Sequence, residues 1–252
     1  MDERCCLFGS VVRVIAPTSE HDAVDGDAAA GQRTRSTRRH ESRLSGDNLQ
    51  VAGADKQDLR AEFLQQRRTL TPAAVTAARA SVRAAVLTRC EAAGWTTIAA
   101  YLPLRTEPGS LELLDELMGQ GVRVLVPMTL PDRDLDWVAL ADKAPAFIAD
   151  PGSARRSWPS PPPVDRTPVP LGVSAITSAE AVLVPALAVA ADGTRLGRGG
   201  GSYDRALARV SPGVPVAALL YDGEVLAHLP RDKWDISVTA YVTPAAGWRD
   251  LT

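Results

Sequence analysis

Lysine is scarce in this chain. Of 28 basic residues only Lys56, Lys143 and Lys233 are lysines, so arginine is the default cation and each lysine hints that an ammonium is specifically required. Cysteine is no commoner. Cys5, Cys6 and Cys90 give neither a disulfide framework nor a metal-ligating spacing, and they point to a reducing, cytoplasmic setting. Of the histidines, His21 and His40 fall in the N-terminal tail and His228 stands alone, which leaves a Ser/His/Asp hydrolase poorly supported. No apolar run approaches the roughly 18 residues of a membrane span. The stretch from Leu7 to Ala16 is broken by Arg13 and lacks a basic lead, which argues against a secretory signal. An excess of one charge is missing too. The formal net charge is -2 over 252 residues, which excludes a global attraction to nucleic acid or membrane. Any anion site must therefore be local.

What is present suits a soluble globular protein: 45% hydrophobic and 23% charged residues, enough to bury a core without staples. Residues 1–52 differ from the rest. They mix Gly, Ser, Thr and Asp around "QRTRSTRR" (32–39), show no sustained period and read as a disordered N-terminal extension. A basic arm for nucleic acid is the alternative, but Asp22, Asp25 and Asp27 dilute the arginines. Residues 53–252 read as a single domain. Nothing specifies an oligomeric state beyond a monomer or a small homo-oligomer.

Within that domain the period alternates. "DKQDLRAEFLQQRRTL" places Leu59, Phe63 and Leu64 on one helical face. Thr71-Pro72 is a helix start, and the helix it opens should stop at Gly94. "TTIAAYL" (96–102) reads as a buried strand, Ser110 caps a helix over 110–121, and "VRVLVPM" (122–128) is a second strand with "LDWVAL" (135–140) beside it. Residues 141–178 are Pro- and Ser-rich and predict a long extended loop. "AVLVPALAV" (181–189) is a third buried strand that runs into a glycine stretch, followed by a short helix over Tyr203 to Arg209. "VPVAALLY" (214–221) and "AYVTP" (240–244) supply the last strands. Strands alternating with helices predict an α/β fold, a three-layer sandwich around a mostly parallel, mixed sheet with Rossmann-like topology.

The glycine stretch is "GTRLGRGGGSYDR" (193–205), five glycines within nine residues flanked by Arg195, Arg198, Asp204 and Arg205. Glycine costs backbone entropy, so such a run needs a reason. Backbone amides between a strand and a helix cradle phosphate, glycines let oxygens approach, and arginines add charge-assisted hydrogen bonds. The usual templates fail. There is no Gly-Lys-Ser/Thr, and Ser202 stands where a dinucleotide fingerprint needs its third glycine.

The longer string "VPALAVAADGTRLGRGGGSYDRAL" resembles the signature of the 5-formyltetrahydrofolate cyclo-ligase family, also called methenyltetrahydrofolate synthetases. Pro185, Leu187, Gly193, Arg195, Leu196, Gly197, Gly199, Gly201, Tyr203 and Asp204 fall in register with it. The resemblance extends to a "K-x-x-L-R" helix (Lys56, Leu59, Arg60), to "YLPLRTE" (Tyr101, Pro103, Glu107), and to "LPRDKWD" with Asp232 and Asp235. Together these cover residues 55 to 245. The chain departs from the pattern at Val189 and Ala190 (Phe-Asp in the family), at Ser202 (tyrosine) and at Trp234 (histidine).

The resemblance implies an enzyme that converts 5-formyltetrahydrofolate to 5,10-methenyltetrahydrofolate while cleaving ATP to ADP and phosphate. It implies ATP as co-substrate, a reduced folate as substrate and Mg²⁺ as cofactor. ATP would meet Lys56, Arg60, Arg195, Leu196, Gly197, Arg198, Gly199, Gly200, Gly201, Ser202 and Tyr203, with Arg195 and Arg198 offsetting charge on the transferred group. Leu102 and Glu107 would contact the folate. Asp204 would bind the metal with Asp232 as second ligand, though Asp235 competes for that place and Asp204 could instead be an N-terminal helix charge. Tyr203 could equally be core. A nucleotide- or folate-binding paralogue without catalysis is the alternative function.

Overall fold

Local signals set the helices of the computed structural model, which describes residues 55–140 and 169–251. The expected extension over residues 1–52 and most of the Pro-rich loop lie outside the described residues. Helix α1 (Lys56–Thr69) opens on Asp55, whose carboxylate accepts from the Gln57 amide. Helix α2 (Pro72–Ala93) starts where Thr71 accepts from the Ala74 amide and ends on Gly94 in the left-handed conformation, as the sequence predicts. After β1 (Thr97–Ala99), Ser110 caps α3 (Leu111–Gly119) through the Leu113 amide. Then come β2 (Arg123–Thr129), β3 (Leu135–Ala139) and a short 3₁₀ turn at Val173–Ser178. The remaining elements are β4 (Ala181–Pro185), β5 (Ala188–Ala190), β6 (Arg195–Leu196), α4 (Ser202–Leu207), β7 (Val216–Leu219), β8 (Val225–Leu226), β9 (Ala240–Thr243) and β10 (Gly247–Asp250).

Seven strands form one sheet in the order β10-β9-β7-β4-β1-β2-β3. Neighbours are parallel from β9 through β2, and β3 and β10 add antiparallel edges. Counted along the chain, the five parallel strands run 2-1-3-4-5, the flavodoxin-like form of the doubly wound topology. The chain leaves β1 toward one edge and returns at β4 toward the other, so a crevice opens between them at their carboxyl ends.

Alternation along each strand divides the core. Ile98, Val124, Val126, Leu183 and Leu219 face α2 and α3. Ala99, Leu125, Val182, Val184 and Ala218 face the 3₁₀ turn and α4. This is the three-layer sandwich. No helix among the described residues is long and apolar enough to cross a membrane.

Two expectations need correction. The run 181–189 is not one strand. It breaks after Pro185, which has no amide to donate, and β5 joins a separate small sheet in the order β6-β5-β8. The glycine stretch consequently follows a hairpin of that small sheet, not a strand of the main one. The sequence predicts no strand over 247–250, because "GWRDL" has no strong alternation; β10 pairs with β9 as an edge strand.

Helix α1 packs Leu59 and Phe63 on Leu187, Ala188 and Leu196 of the small sheet. Its far end is held by a buried ion pair. Arg67 donates to both carboxylate oxygens of Glu224 at 2.7 Å and to the Ala186 carbonyl at 2.6 Å. Burial opposes the Arg67 charge, but Glu224 outweighs it and keeps the guanidinium protonated. Lys56, Arg60 and Arg67 share one helical face, so this anchor also aims the first two at the crevice.

Candidate active site

A cleft of about 1790 Å³ lies at the carboxyl ends of β1, β2 and β4, at the topological switch point. A single small ligand typically occupies roughly 300–1,000 Å³, so there is room here for two. Its floor is the backbone of Gly197–Gly201. Gly199 has φ +91°, and a Cβ there would sit 3.3 Å from the Arg60 guanidinium carbon, so glycine lets the loop lie against that arginine. Arg60 holds the loop in turn, donating from Nε to the Gly197 carbonyl at 2.9 Å. Gly193 does a different job. A Cβ on it would lie 2.3 Å from the Val238 carbonyl oxygen, and its own carbonyl accepts from the Val238 amide. It packs the hairpin turn against the segment that leads into β9 and is not part of the cradle.

Three cations at the cleft, Lys56, Arg195 and Arg198, are matched by carboxylates. The Lys56 ammonium bridges Asp232 at 2.7 Å and Asp235 at 2.5 Å. Burial works against this ammonium, yet hydrogen bonds to the two aspartates outweigh it and hold its pKa above the ordinary lysine value. The Arg195 guanidinium lies over the Tyr203 ring and donates to Asp204 Oδ1 at 2.9 Å. That same oxygen accepts from the Ile236 amide at 3.2 Å. Arg198 reaches across the crevice to Glu107, 3.4 Å away. Glu107 is only 2% exposed, and its other oxygen accepts from the Leu104 amide. Arg79 of α2 ties the same loop by donating to the Leu104, Arg105 and Glu107 carbonyls. On the far wall Arg205 donates to the carbonyls of Asp132 and Arg133, the latter at φ 68°, the one described non-glycine residue with positive φ.

Most residues that the sequence singles out therefore meet in one place. Lys56, Arg60, Glu107, Arg195, Gly197, Arg198, Gly199, Gly200, Gly201, Ser202, Tyr203, Asp204 and Asp232 all line the cleft. Leu196 and Leu102 are not among the lining side chains. Leu196 packs under α1, and Leu102 packs on the core beneath α2 and α3. The sequence alone does not single out Arg79 or Arg133. Nothing local marks Arg79 among its neighbours on α2; only the fold brings it to the 104–107 loop. Two of the departures are harmless to the cleft, since Val189 and Ala190 are fully buried in the small sheet. Ser202 and Trp234 do line it.

The architecture and the cleft define a doubly wound α/β protein with an arginine- and glycine-lined cleft at the switch point. The sequence profile of the 5-formyltetrahydrofolate cyclo-ligase family matches residues 52–244, and the chain belongs to that family. It is 36% identical over 197 residues to the 5-formyltetrahydrofolate cyclo-ligase of Mycolicibacterium smegmatis, covering 76% of this chain and 95% of the relative. It is 27% identical over 190 residues to the enzyme of the same name from Escherichia coli K12, covering 73% of this chain and 97% of the relative. The fold is similar to that of the 5,10-methenyltetrahydrofolate synthetase of Aquifex aeolicus, with TM-score 0.59, 25% identity, 78% of this chain and 92% of that one. A like similarity holds for the Mycoplasma pneumoniae synthetase, with TM-score 0.59 at 18% identity over 76% of this chain and 99% of that one.

Proposed function

We propose that this protein closes a ring: it converts 5-formyltetrahydrofolate and ATP to 5,10-methenyltetrahydrofolate, ADP and phosphate. The observation that carries this reading is the glycine cradle of residues 197–201, set among Arg60, Arg195 and Arg198 in a cleft with space for a second substrate. A formamide carbon is a poor electrophile and its oxygen a poor leaving group. Transfer of the terminal phosphoryl group to the formyl oxygen removes both obstacles. N10 then attacks the formyl carbon and loses its proton, and the oxygen departs within the released phosphate.

Such a transfer asks for positioning and charge neutralisation more than for covalent help. The Gly197–Gly201 amides hold the phosphates. Arg198 and Arg195 offset charge on the moving group. Asp204 fixes the direction of Arg195, since its Oδ1 is already committed to that guanidinium and to the Ile236 amide. Glu107 holds Arg198 and faces the folate. Lys56 passes from the two aspartates to the nucleotide.

The donor set fits a cation that arrives with the nucleotide. Asp232 and Asp235 converge on one point, now taken by the Lys56 ammonium, and no cluster of three or more acidic, histidine or cysteine ligands exists among the described residues. Mg²⁺ commonly takes one or two carboxylates and draws the rest from phosphate and water. Asp232 and Asp235 would hold it, with Asp204 the neighbouring carboxylate; when bound, Mg²⁺ supplies charge neutralisation at the phosphates. We place the reaction in the cytoplasm, in keeping with the free, buried Cys90.

The direct experiment mixes purified protein, Mg-ATP and 5-formyltetrahydrofolate and follows the methenyl product in the near ultraviolet. Product formation that depends on ATP is expected. Calorimetric ATP binding with no product would instead make this a binding paralogue.

A further inference from the structure

Trp234 is the only aromatic among the large hydrophobic side chains left exposed in the described residues, with 74% of its surface open, and it lines the cleft. Its loop is not slack. The Asp235 amide donates to the Asp232 carbonyl, the Asp232 amide donates to the Asp235 carboxylate at 2.8 Å, and Lys56 clamps both carboxylates. One residue further on, the Ile236 amide is pinned to Asp204. The backbone on either side of the indole is thus tied to α1 and to α4. The Lys233 ammonium lies over the ring, 4.8 Å from its centre, and most of the residue stays open to solvent. A large π surface presented by fixed backbone at a cleft mouth is what a planar heterocycle stacks on.

We propose that Trp234 is the stacking platform for the purine base of the nucleotide, an inference that rests on the phosphoryl-transfer reading above. Two ends of the cleft differ. At one, Arg198 meets Glu107, which is almost wholly buried; at the other stands the open loop of residues 232–235. Phosphoryl transfer belongs at the end from which water is excluded. The base takes no part in that chemistry and lies at the open end, joined to the cradle through its ribose. Lys56, which holds the 232–235 loop, meets the phosphates on the way. The position is occupied by histidine in the related pattern, so this chain offers the base a broader surface there.

The test titrates wild type and Trp234→Ala with Mg-ADP and, separately, with magnesium tripolyphosphate, which has phosphates and no base. The expected result is a loss of about 5- to 150-fold in ADP affinity with tripolyphosphate unchanged. Trp234→Phe should recover most of the loss, and ADP-induced quenching of indole fluorescence should shrink in both variants. An unchanged thermal midpoint for Trp234→Ala excludes misfolding, as its exposure leads one to expect. Undiminished ADP affinity overturns the proposal, as does equal loss for both ligands. A loss confined to 5-formyltetrahydrofolate also overturns it and moves the platform to the folate. If wild type binds ADP through its base but forms no methenyl product, the cyclo-ligase reading fails and the platform stands.

Discussion

Replacing Arg67 by methionine tests the anchor that aims α1 at the cleft. The change keeps the length of the side chain and removes a guanidinium that is 3% exposed. It strands Glu224, itself 4% exposed, with a single remaining donor, the Tyr221 amide at 2.8 Å, and it leaves the Ala186 carbonyl without its partner. Breaking one side of a buried, hydrogen-bonded pair costs about 3–5 kcal/mol. For a chain of this size that corresponds to a fall of roughly 6–20 °C in Tm. The loss should also depend on pH. Burial already pushes the Glu224 carboxyl above the ordinary range against the pull of Arg67. Without Arg67 that upward shift grows, so the folded variant binds a proton more tightly than the unfolded chain. Stability is then retained at acid pH and falls as pH rises through the folded pKa. The variant should stand closer to wild type near pH 5 than near pH 8. Urea unfolding followed by far-ultraviolet circular dichroism measures both effects. The double variant Arg67→Met/Glu224→Leu removes both charges and should cost clearly less than the sum of the single changes. A loss under about 1 kcal/mol at neutral pH, or strict additivity in the double variant, would refute the reasoning.

Arg198→Ala should lower kcat by about 10²–10³-fold with the fold intact, as expected for removal of a donor to the moving group; steady-state kinetics beside a thermal melt decide it. Asp204→Asn should lower turnover less than Asp204→Ala, because the amide oxygen can still accept from Arg195 and the Ile236 amide; equal losses would remove the positioning role. Gly193→Ala should destabilise by at least about 1–3 kcal/mol, since it combines positive φ with a Cβ driven into the Val238 carbonyl, and the loss should appear in urea midpoints. Asp134 is held below the usual carboxylate range chiefly by its hydrogen bond with Arg209. Its contribution is present above the unfolded carboxylate pKa and is lost as pH falls through the depressed folded value, so Asp134→Asn should flatten the acid limb of the stability profile. A variant lacking residues 1–52 should retain turnover, measured by methenyl absorbance; loss of activity would give that segment a function.

Three of the cations at the cleft are paired with carboxylates, and this shapes how it would work. Lys56, Arg195 and Arg198 each rest on a carboxylate drawn from a different part of the chain. Bare cations gathered at one cleft would repel one another, and the carboxylates remove that cost. A polyphosphate must displace some of these partners. Nucleotide binding would thereby draw Lys56 off Asp232 and Asp235 and leave these two carboxylates free for the accompanying cation, while the bond from the Ile236 amide to Asp204 keeps the loop on α4.

The sequence by itself determined the helices and the position of the glycine loop, because the signals are local. Asp55, Thr71 and Ser110 satisfy amides within three residues of themselves, Gly94 supplies the left-handed turn, and the run from Gly197 to Gly201 marks a loop that a ligand can approach closely. The motif resemblance placed most of the cleft residues for the same reason: each motif is short and sits at the end of a strand or helix. Tertiary structure alone decided how these pieces pair. No spacing in the chain says that Lys56 meets Asp232 and Asp235, that Arg67 meets Glu224, or that Arg198 crosses to Glu107. Those contacts depend on a strand order that doubles back between β1 and β4, and on Pro185 turning the chain into a second sheet. Charge pairing and burial act through space over separations of more than a hundred residues for the first two pairs, so they become visible only once the sheet has assembled.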